Sequence, residues 1–447
     1  MMNEVEICAV SGYSEVGRNM TAVRVDDEVV IIDLGISIPA LVNNESEEQG
    51  RMRESSPSQL IKAKVIPDDT VIKDWKGKVK AIVLGHGHYD HIAAVRYLAS
   101  KYKCPVYGTP FTIQILRTLL KDEEASVSNP LVPTKIDTII EISKKLKIEL
   151  ISMSHSTLQC AMVAIHTPKG VVLYANDFKF DDDPVLGYKP NWERLKRFGK
   201  EGNCLVLITE CMNVEIEGHT PTEGEAREKM KEVLLNTNSK GKALFVTTFS
   251  SQFARIKSII EFGKKLNRRI VILGRSMYKY DEAAESLNLV NFSKDAEIIG
   301  YGGLRRKKLK EINENRGDYL VITTGSQGEK GSVLDKIVDK QLPFYFKSED
   351  IVVFACRTIP TEVNIKQRAV LEGKLKDSGV KMFFNIHSSG HASKEDLKDF
   401  IKIVKPKNLI PSQGEPAKEE ILVKEAEALG LKKANIHLVK DGTFLKF

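Results

Sequence analysis

One stretch of this chain, residues 81–92, constrains its fold more than any other. It opens with the apolar run Ala-Ile-Val-Leu at residues 81–84, which has a β-branched centre and is bounded by Gly85, and this pattern predicts a buried strand. From Ile92 to Ala99 the composition favours a helix. Between the predicted strand and helix, three imidazoles and one carboxylate fall within six residues: His86, His88, Asp90 and His91.

This cluster predicts a metal site at a strand tip. Imidazole nitrogens and carboxylate oxygens are ligands that zinc accepts, and a catalytic zinc keeps one position open for water. Gly85 and Gly87 would let the backbone crowd around such a site. The alternative is that the histidines are ordinary surface residues and that Asp90 caps the following helix. The spacing His-x-His-x-Asp-His is far more specific than a single His-x-His and favours the metal site.

The composition is that of a folded protein. At 447 residues the chain can form two or three domains, or one domain with a large insertion. Its 42% hydrophobic and 7% aromatic content is typical of globular proteins. The net charge of +7 mildly favours a polyanionic partner. Residues 41–60 are polar and predict an exposed loop.

The sequence also predicts a cytoplasmic location. No apolar run is long enough to cross a bilayer, and the N-terminus shows no signal peptide. The six cysteines are scattered without a Cys-x-x-Cys motif, which indicates buried, reduced thiols.

Three further polar residues share the placement of the histidine cluster, just past an apolar strand. These residues are Asp33, His155 and Asp177, and the strands before them are predicted over residues 29–32, 148–154 and 171–174. Because strands of one sheet can end at one edge, the side chains are expected to converge in a single cleft. Asp33 would either cap the following turn or orient a metal ligand. His166 and His437 lie in strand-like runs and are interpreted as structural, and His219 is assigned no role.

In chain order, this set resembles the metal-binding motifs of the metallo-β-lactamase superfamily. The resemblance implies an α/β fold, an αββα sandwich in which two β-sheets face each other with helices outside and a metal site at one edge. The residues that carry it are Asp33, His86, His88, Asp90, His91, His155 and Asp177.

The order of predicted strands and helices changes in the middle of the chain. Strands predicted over residues 206–209, 243–247, 270–273 and 319–323 are each followed by a polar loop, and strand–helix alternation resumes. This pattern predicts a parallel sheet flanked by helices, with ligands binding at the carboxyl ends of the strands. The loops carry Ser, Thr, Arg and Gly, which suit phosphate oxygens, although they could equally be ordinary caps and turns.

Several of these loops are similar to the β-CASP nucleases, and within them to the ribonuclease J family. The similar segments are Glu210, residues 274–277 (Gly-Arg-Ser-Met), residues 324–329 (Thr-Gly-Ser-Gln-Gly-Glu) and residues 387–391 (His-Ser-Ser-Gly-His). The opening residues 12–20 are similar to the family's Gly-x-x-Glu-x-Gly-x-Asn-Met. The resemblance covers nearly the whole chain, without the further C-terminal domain of many bacterial members, as expected of an archaeal-type form.

This resemblance implies a two-domain ribonuclease. The metallo-β-lactamase domain would comprise residues 1–210 and 366–447, and the β-CASP domain residues 211–365, with RNA entering a groove between them. The expected activity is 5′-to-3′ exonuclease, with possible endonuclease activity, in RNA decay and processing. The expected partners are 5′-monophosphorylated RNA and a second copy of the chain, without a membrane.

The resemblance also implies residue roles. His86, His88 and His155 would hold one zinc, Asp90 and His91 a second, and Asp177 would bridge the two. The two ions and Asp90 would activate a water for in-line attack on the phosphodiester. His391 would donate a proton to the leaving oxygen, and Glu210 would keep His391 protonated. The residues expected to hold RNA phosphates are His387, Ser389, Gly390, Ser250 and Ser251.

One position departs from the family pattern. The family's Pro-x-His-Gly-Glu segment supplies a histidine to the second zinc, and this chain has Gln413 there. A glutamine carbonyl oxygen is a weaker ligand for zinc than an imidazole. The second site is therefore expected to be weak, to prefer another metal or to be empty, with a two-metal enzyme as the favoured interpretation.

Two other functions stay open at this point. A hydrolase of small esters or thioesters would use the same metal motif, but a small substrate does not need a second domain. An RNA-binding protein with impaired catalysis is the other alternative, motivated by Gln413. The basic run at residues 305–308 is either an RNA contact or a solvated helix face.

Overall fold

The computed structural model describes residues 4–44, 55–359 and 361–447. The chain forms two compact units. The first runs to Phe180 and includes Tyr188–Thr220 and Gly390–Phe447, and the second comprises Asp181–Gly187 and Pro221–Ser389. Among the described residues, no helix has the length and apolarity needed to cross a membrane.

The first unit contains two β-sheets. The strands of the first sheet are β1 (Val5–Ser11), β2 (Met20–Val25), β3 (Glu28–Ile32), β4 (Val79–Leu84), β5 (Val106–Gly108), β6 (Leu131–Pro133) and β19 (Thr443–Lys446). The strands of the second are β7 (Thr138–Glu141), β8 (Lys147–Ser152), β9 (Ala161–Thr167), β10 (Gly170–Ala175), β11 (Cys204–Glu210) and β18 (Asn408–Ser412). Their spatial orders are β19-β1-β2-β3-β4-β5-β6 and β18-β11-β10-β9-β8-β7.

Strand pairing brings the predicted strand tips together within each sheet. Strands β3 and β4 are parallel, with Ile32 opposite Val83, so that the residues following both strands lie at one end of the first sheet. Strand β10 is parallel to β11, and β11 to β18, so that the second sheet has a similar end. The predicted hairpin of β9 and β10 is present and antiparallel.

The helices of the first unit lie outside the sheets. They are α1 (Ile38–Asn44), α2 (Pro57–Lys62), α3 (Tyr89–Ile92), α4 (Val95–Leu98), α5 (Pro110–Asp122), α6 (Trp192–Glu201), α13 (Lys394–Val404) and α14 (Pro416–Ala428). One buried cluster contains residues of both sheets, among them Val83 of β4 and Val172 of β10. A second cluster packs Phe198 of α6, Phe400 of α13 and Leu422 of α14 on the second sheet. Each such side chain contributes about 1.5–3 kcal/mol when fully buried, and the layers confirm the predicted αββα sandwich.

The second unit is built around one parallel sheet. Its strands are β12 (Leu244–Thr247), β13 (Arg269–Leu273), β14 (Ala296–Ile299), β15 (Tyr319–Thr323), β16 (Ile351–Phe354) and β17 (Lys381–Phe383), in the order β14-β13-β15-β12-β16-β17. Its helices are α7 (Glu223–Asn236), α8 (Phe253–Lys265), α9 (Arg275–Ser286), α10 (Gly302–Glu314), α11 (Val333–Val338) and α12 (Glu362–Asp377). The predicted parallel sheet with flanking helices is confirmed.

The structure differs from the predicted boundaries of the inserted domain. The prediction from the sequence assigned residues 366–389 to the first domain, whereas in the structure they belong to the second unit. The reason is that β17 pairs with β16, with Met382 opposite Val352. The second unit also takes in Asp181–Gly187, where Lys257 Nζ donates to the carbonyl of Val185 (3.2 Å), and it resumes at Pro221 rather than at residue 211.

Two local predictions need correction. The helix predicted from Ile92 to Ala99 is interrupted between α3 and α4, because the Ala94 N–H donates to the carbonyl of Leu34 (2.8 Å). The loop predicted over residues 41–60 falls largely on residues 45–54, which lie outside the described residues. The described ends are helical, and α2 starts at a capping box in which Ser56 and Gln59 satisfy each other's backbone N–H groups.

Candidate metal centre

The turn that carries the four clustered ligands is held by the chain segment after β3. The Leu34 N–H donates to the carbonyl of His91 (2.8 Å), and the Ile36 N–H donates to the carbonyl of Tyr89 (3.1 Å). Between them, a Cβ added at Gly35 would lie 1.5 Å from the carbonyl oxygen of Asp90. Only glycine therefore allows the two backbones to pack at this distance.

Side chains from separate strand tips converge on one point beside this turn. His88 Nδ1 lies 3.1 Å from His86 Nε2 and 3.2 Å from His155 Nε2. Asp177 Oδ2 lies 3.5 Å from His86 Nε2 and 3.6 Å from His155 Nε2. Ligands about 2.0–2.1 Å from a tetrahedral zinc are roughly 3.3 Å apart, so these four donors have the spacing of a zinc site.

A second group shares one member with the first. His91 Nε2 lies 3.5 Å from Asp90 Oδ2 and 3.4 Å from Asp177 Oδ2. Asp177 thus belongs to both groups of possible metal ligands. The structure brings together the residues that the sequence assigned to each of two ions.

Hydrogen bonds fix the orientation of two of the imidazoles. His91 Nδ1 lies 2.7 Å from Asp33 Oδ2, and the other oxygen of this fully buried carboxylate accepts the Gly85 N–H (2.9 Å). His155 Nδ1 donates to the carbonyl of Gly390 (2.6 Å). In both residues the hydrogen bond uses Nδ1, so Nε2 faces the other candidate metal ligands. Metal-binding histidines commonly make such a hydrogen bond through the ring nitrogen that does not bind the metal.

Asp33 should accordingly control metal affinity. Asp33→Asn removes the charge that holds His91 Nδ1 and is expected to weaken metal binding by about 10–100-fold while the protein stays folded. Competition with a chromophoric chelator measures this. A matched control is Asp69→Asn, which removes a buried carboxylate that contacts Lys101 and Tyr102 instead. Equal metal affinities for wild type and Asp33→Asn would contradict the assignment.

Burial and neighbouring charges prepare the site for cations. Burial and the adjacent imidazoles lower the pKa of His86 and His155 well below the usual range, so both rings are neutral and able to bind a metal. Burial also disfavours charge on His91, but Asp90 and Asp177 outweigh it and raise its pKa. A proton on His91 therefore balances the negative charge of these carboxylates, which a bound metal ion would otherwise neutralise. The imidazoles and carboxylates of the centre fit the metal that the fold implies.

The side-chain amide nitrogen of Gln413 faces the carboxylates of the metal centre. The Gly17 N–H donates to Gln413 Oε1 (2.9 Å), while Nε2 donates to Asp177 Oδ1 (2.9 Å) and Asp90 Oδ2 (3.3 Å). The carbonyl oxygen considered as a ligand thus contacts the backbone of residue 17. Gln413, Asp33 and Asp177 all adopt a left-handed backbone (φ 48°, 60° and 47°), a conformation uncommon outside glycine that often marks functional sites.

A buried ion pair adjoins the metal-binding groups. His391 Nδ1 lies 2.8 Å from Glu210 Oε2, and Glu210 Oε1 accepts the Phe178 N–H (2.8 Å). Burial opposes charge on the His391 ring, but the carboxylate of Glu210 outweighs it and raises the pKa of His391 to about 9. The ring centroids of His391 and His155 are 5.2 Å apart, so a protonated imidazole lies beside the first donor group.

Sequence reasoning assigned no role to two asparagines that brace the centre. Asn19 Nδ2 donates to the carbonyl of Asp90 (3.0 Å), and Asn19 Oδ1 accepts from Asn176 Nδ2 (3.0 Å). Ser412 Oγ in turn donates to Asn176 Oδ1 (2.8 Å). Asn19 lies within the quoted motif of residues 12–20, and Asn176 precedes Asp177, so their positions in the sequence were the available signal.

The residues predicted to hold phosphates fall into two groups. Ser250 and Ser251 follow β12, and His387 and Ser389 follow β17, so both pairs lie past carboxyl ends of the parallel sheet of the second unit. Gly390 belongs to the first unit, where its carbonyl holds His155. A Cβ at Gly390 would lie 2.9 Å from the His155 ring, which gives this glycine a packing role at the metal centre.

The remaining histidines and the basic run lie outside the centre. His166 Nε2 contacts Glu149 Oε2 (2.8 Å), His437 Nε2 contacts Asn408 Oδ1 (3.1 Å), and His219 Nε2 contacts Asp399 Oδ2 (3.0 Å). The strand expected around His437 is reduced to one bridge between Leu409 and Ile436. The basic run at residues 305–308 lies on α10.

Family models match successive parts of the chain. The metallo-β-lactamase superfamily matches residues 13–203, the β-CASP domain of ribonuclease J matches residues 240–370, and the RNA specificity domain of Zn-dependent metallo-hydrolases matches residues 379–438. A solved structure of a protein of unknown function from Enterococcus faecalis V583 has a TM-score of 0.67 at 15% identity, over 99% of this chain and 100% of that chain, which shows a shared fold. Fold and site together define a metallo-hydrolase of the metallo-β-lactamase superfamily with a β-CASP domain.

Sequence relatives narrow this class. Ribonuclease J of Methanocaldococcus jannaschii is 40% identical over 447 residues, covering 99% of each chain. Ribonuclease J of Pyrococcus abyssi is 41% identical over 93% of this chain and 90% of its own. Ribonuclease J2 of Bacillus subtilis is 28% identical over 99% of this chain and 75% of its own. The chain belongs to the ribonuclease J family.

Proposed function

We propose that this protein is a metal-dependent ribonuclease that degrades RNA from its 5′ end and also cuts internally, in RNA decay and processing. The observation that carries the proposal is the convergence of the His86, His88 and His155 imidazoles with Asp177 in a chain of the ribonuclease J family. Bound metal ions supply such a site with an acidified water and with positive charge for the phosphodiester oxygens.

We propose zinc as the metal, with two positions in each chain. The first donor group is rich in imidazole, which favours zinc over magnesium or calcium. His86, His88 and His155 would hold the first ion, and Asp90 with His91 the second. Asp177, present in both groups, would bridge them.

Other residues would move a proton and hold the substrate. His391, kept protonated by Glu210, would give its Nε2 proton to the leaving oxygen. Ser250, Ser251, His387 and Ser389 would bind backbone or 5′ phosphates, which is supported by their place at the carboxyl edge of a parallel sheet. The six free, buried cysteines support a reducing cytoplasm, and the expected dimer stays a prediction.

The pH profile should report the pair of His391 and Glu210. A proton donor must be protonated, so turnover is expected to fall as the pH rises past about 9, the raised pKa of His391. Glu210→Gln removes the stabilising charge and should shift this alkaline limb to lower pH. A matched control is Glu149→Gln, which alters a second buried pair, Glu149 with His166, away from the metal centre. An alkaline limb that does not move in Glu210→Gln would contradict the proton-donor role.

End-labelled RNA tests the proposed activity. Three substrates of one sequence would carry a 5′ triphosphate, monophosphate or hydroxyl, each with a second, internal label. Mononucleotides released fastest from the monophosphate are the expected result, and internal fragments would report endonuclease cleavage. Thioester turnover without nucleotide release would overturn the proposal. RNA binding without cleavage, equal in wild type and His86→Ala, would instead identify a non-catalytic RNA-binding protein.

A further inference from the structure

We propose that Gln413 makes the two metal positions of this chain unequal. One ion binds tightly to His86, His88, His155 and Asp177, whereas the Gln413 amide competes with the ion at the second position. The proposal rests on the proposed function in assuming that this centre binds metal ions. It goes beyond that function by assigning Gln413 a hydrogen-bonding role in place of a ligand role.

The orientation of the Gln413 amide follows from its partners. A backbone N–H can only donate, so the group facing the Gly17 N–H must be the carbonyl oxygen Oε1. The NH2 group then faces Asp90 and Asp177, whose ionised carboxylates can only accept. A flipped amide would oppose donor to donor at Gly17 and oxygen to oxygen at both carboxylates.

The backbone around Gln413 keeps this arrangement in place. The Gln413 N–H donates to the carbonyl of Gly12 (2.9 Å), and Gly17 lies in the same loop. The Gln413 side chain is fully buried, and its bond to the Gly17 N–H is buried as well. If Oε1 turned to bind an ion, the Gly17 N–H would lose its partner away from water, which is costly for a backbone donor.

The same amide occupies an oxygen that the second ion needs. Asp90 Oδ2, the atom that lies 3.5 Å from His91 Nε2, accepts from Gln413 Nε2. Asp177 directs Oδ2 at His91 and Oδ1 at Gln413. An ion at Asp90, His91 and Asp177 must therefore displace or share the hydrogen bond between Gln413 and Asp90. The first group has four donor residues and the second has three, so the smaller number of ligands also weakens metal binding at the second position.

Gln413→Glu provides a sharp test. One carboxylate oxygen keeps the bond to the Gly17 N–H, and the other replaces the NH2 group with a metal ligand. Gln413→Met removes both functions. A matched control is Gln159→Glu in the same unit, where Gln159 Oε1 likewise accepts a backbone N–H, from Phe111 (2.9 Å).

The measurement is a titration of demetallated full-length protein with Zn²⁺ or Co²⁺ against a chromophoric chelator, without RNA. We expect one tight ion per wild-type chain and a second that binds about 100-fold more weakly. In Gln413→Glu the second ion should bind within about tenfold of the first. Gln413→Met removes the competing amide without adding a ligand, so its second ion should bind more tightly than in wild type but more weakly than in Gln413→Glu, and Gln159→Glu should keep the weak second site. Circular dichroism checks folding, and if Gln413→Glu fails to fold, the wild-type titration decides alone.

Two ions of equal affinity in wild type, or a second site unchanged by Gln413→Glu, would overturn the proposal. Neither result involves RNA, so the proposed ribonuclease function is tested separately. Unequal sites in a protein that does not cleave RNA would remove that function and leave the role of Gln413 intact. Equal sites in an active ribonuclease would remove the proposed role of Gln413 and leave the ribonuclease function intact.

Discussion

Replacement of His86 by alanine is expected to lower RNA turnover by about 10³-fold or more and to remove the tightly bound metal ion. The neutral His86 ring is buried and directs Nε2 at His88 and Asp177. Without it, the first group loses one of four donors. A metal that acts as a Lewis acid is worth several kcal/mol of transition-state stabilisation, and about 4 kcal/mol corresponds to a factor of about 10³ in rate.

The matched control for this substitution is His219→Ala. His219 is largely exposed and contacts Asp399, away from the metal centre. Elemental analysis of metal content and initial rates on 5′-monophosphorylated RNA should both be unchanged in His219→Ala. Loss of activity in both variants, or metal content and activity retained in His86→Ala, would sink the assignment of His86.

The second large effect is expected at Gly35, which packs against the backbone of Asp90 and His91. Gly35→Ala forces a methyl group to within 1.5 Å of the Asp90 carbonyl oxygen, so the strand-tip segment and the ligand-bearing turn must separate. We expect the free energy of unfolding to fall by about 3 kcal/mol or more, a large share of the total for a typical domain. Metal binding should weaken as well, because Asp90 and His91 move with the turn.

Chemical denaturation and metal titration of the same preparations check this expectation. Gly77→Ala is the control, since an added Cβ at Gly77 meets nothing within 4 Å. An unfolding free energy for Gly35→Ala equal to that of Gly77→Ala would show that the backbone approach at Asp90 is not required.

The sequence predicted the donor groups because their signal is local. A polar residue shortly after an apolar strand marks a strand tip, and Asp33, His155 and Asp177 all lie within three residues of the end of a strand. Parallel pairing of β3 with β4 then brings the first tips together. The sequence also predicted the parallel sheet of the second unit, since repeated strand–helix units have few alternative arrangements.

Other features depend on contacts between distant parts of the chain. Gly17 and Gln413 are separated by 396 positions, and His155 and Gly390 by 235. Residue type indicated that Gln413 could offer an oxygen to a metal, but only the fold shows which amide atom faces the carboxylates. The end of the second unit at Ser389 likewise depends on the pairing of β17 with β16, which three residues of strand do not reveal in sequence.

The most direct test is an anomalous difference Fourier map from crystals of zinc-loaded protein, measured at the zinc edge. We expect a strong peak about 2.0–2.2 Å from His86 Nε2, His88 Nδ1, His155 Nε2 and an Asp177 oxygen. A map that places the bound zinc elsewhere, with no peak among these four side chains, would contradict the assignment of the metal centre.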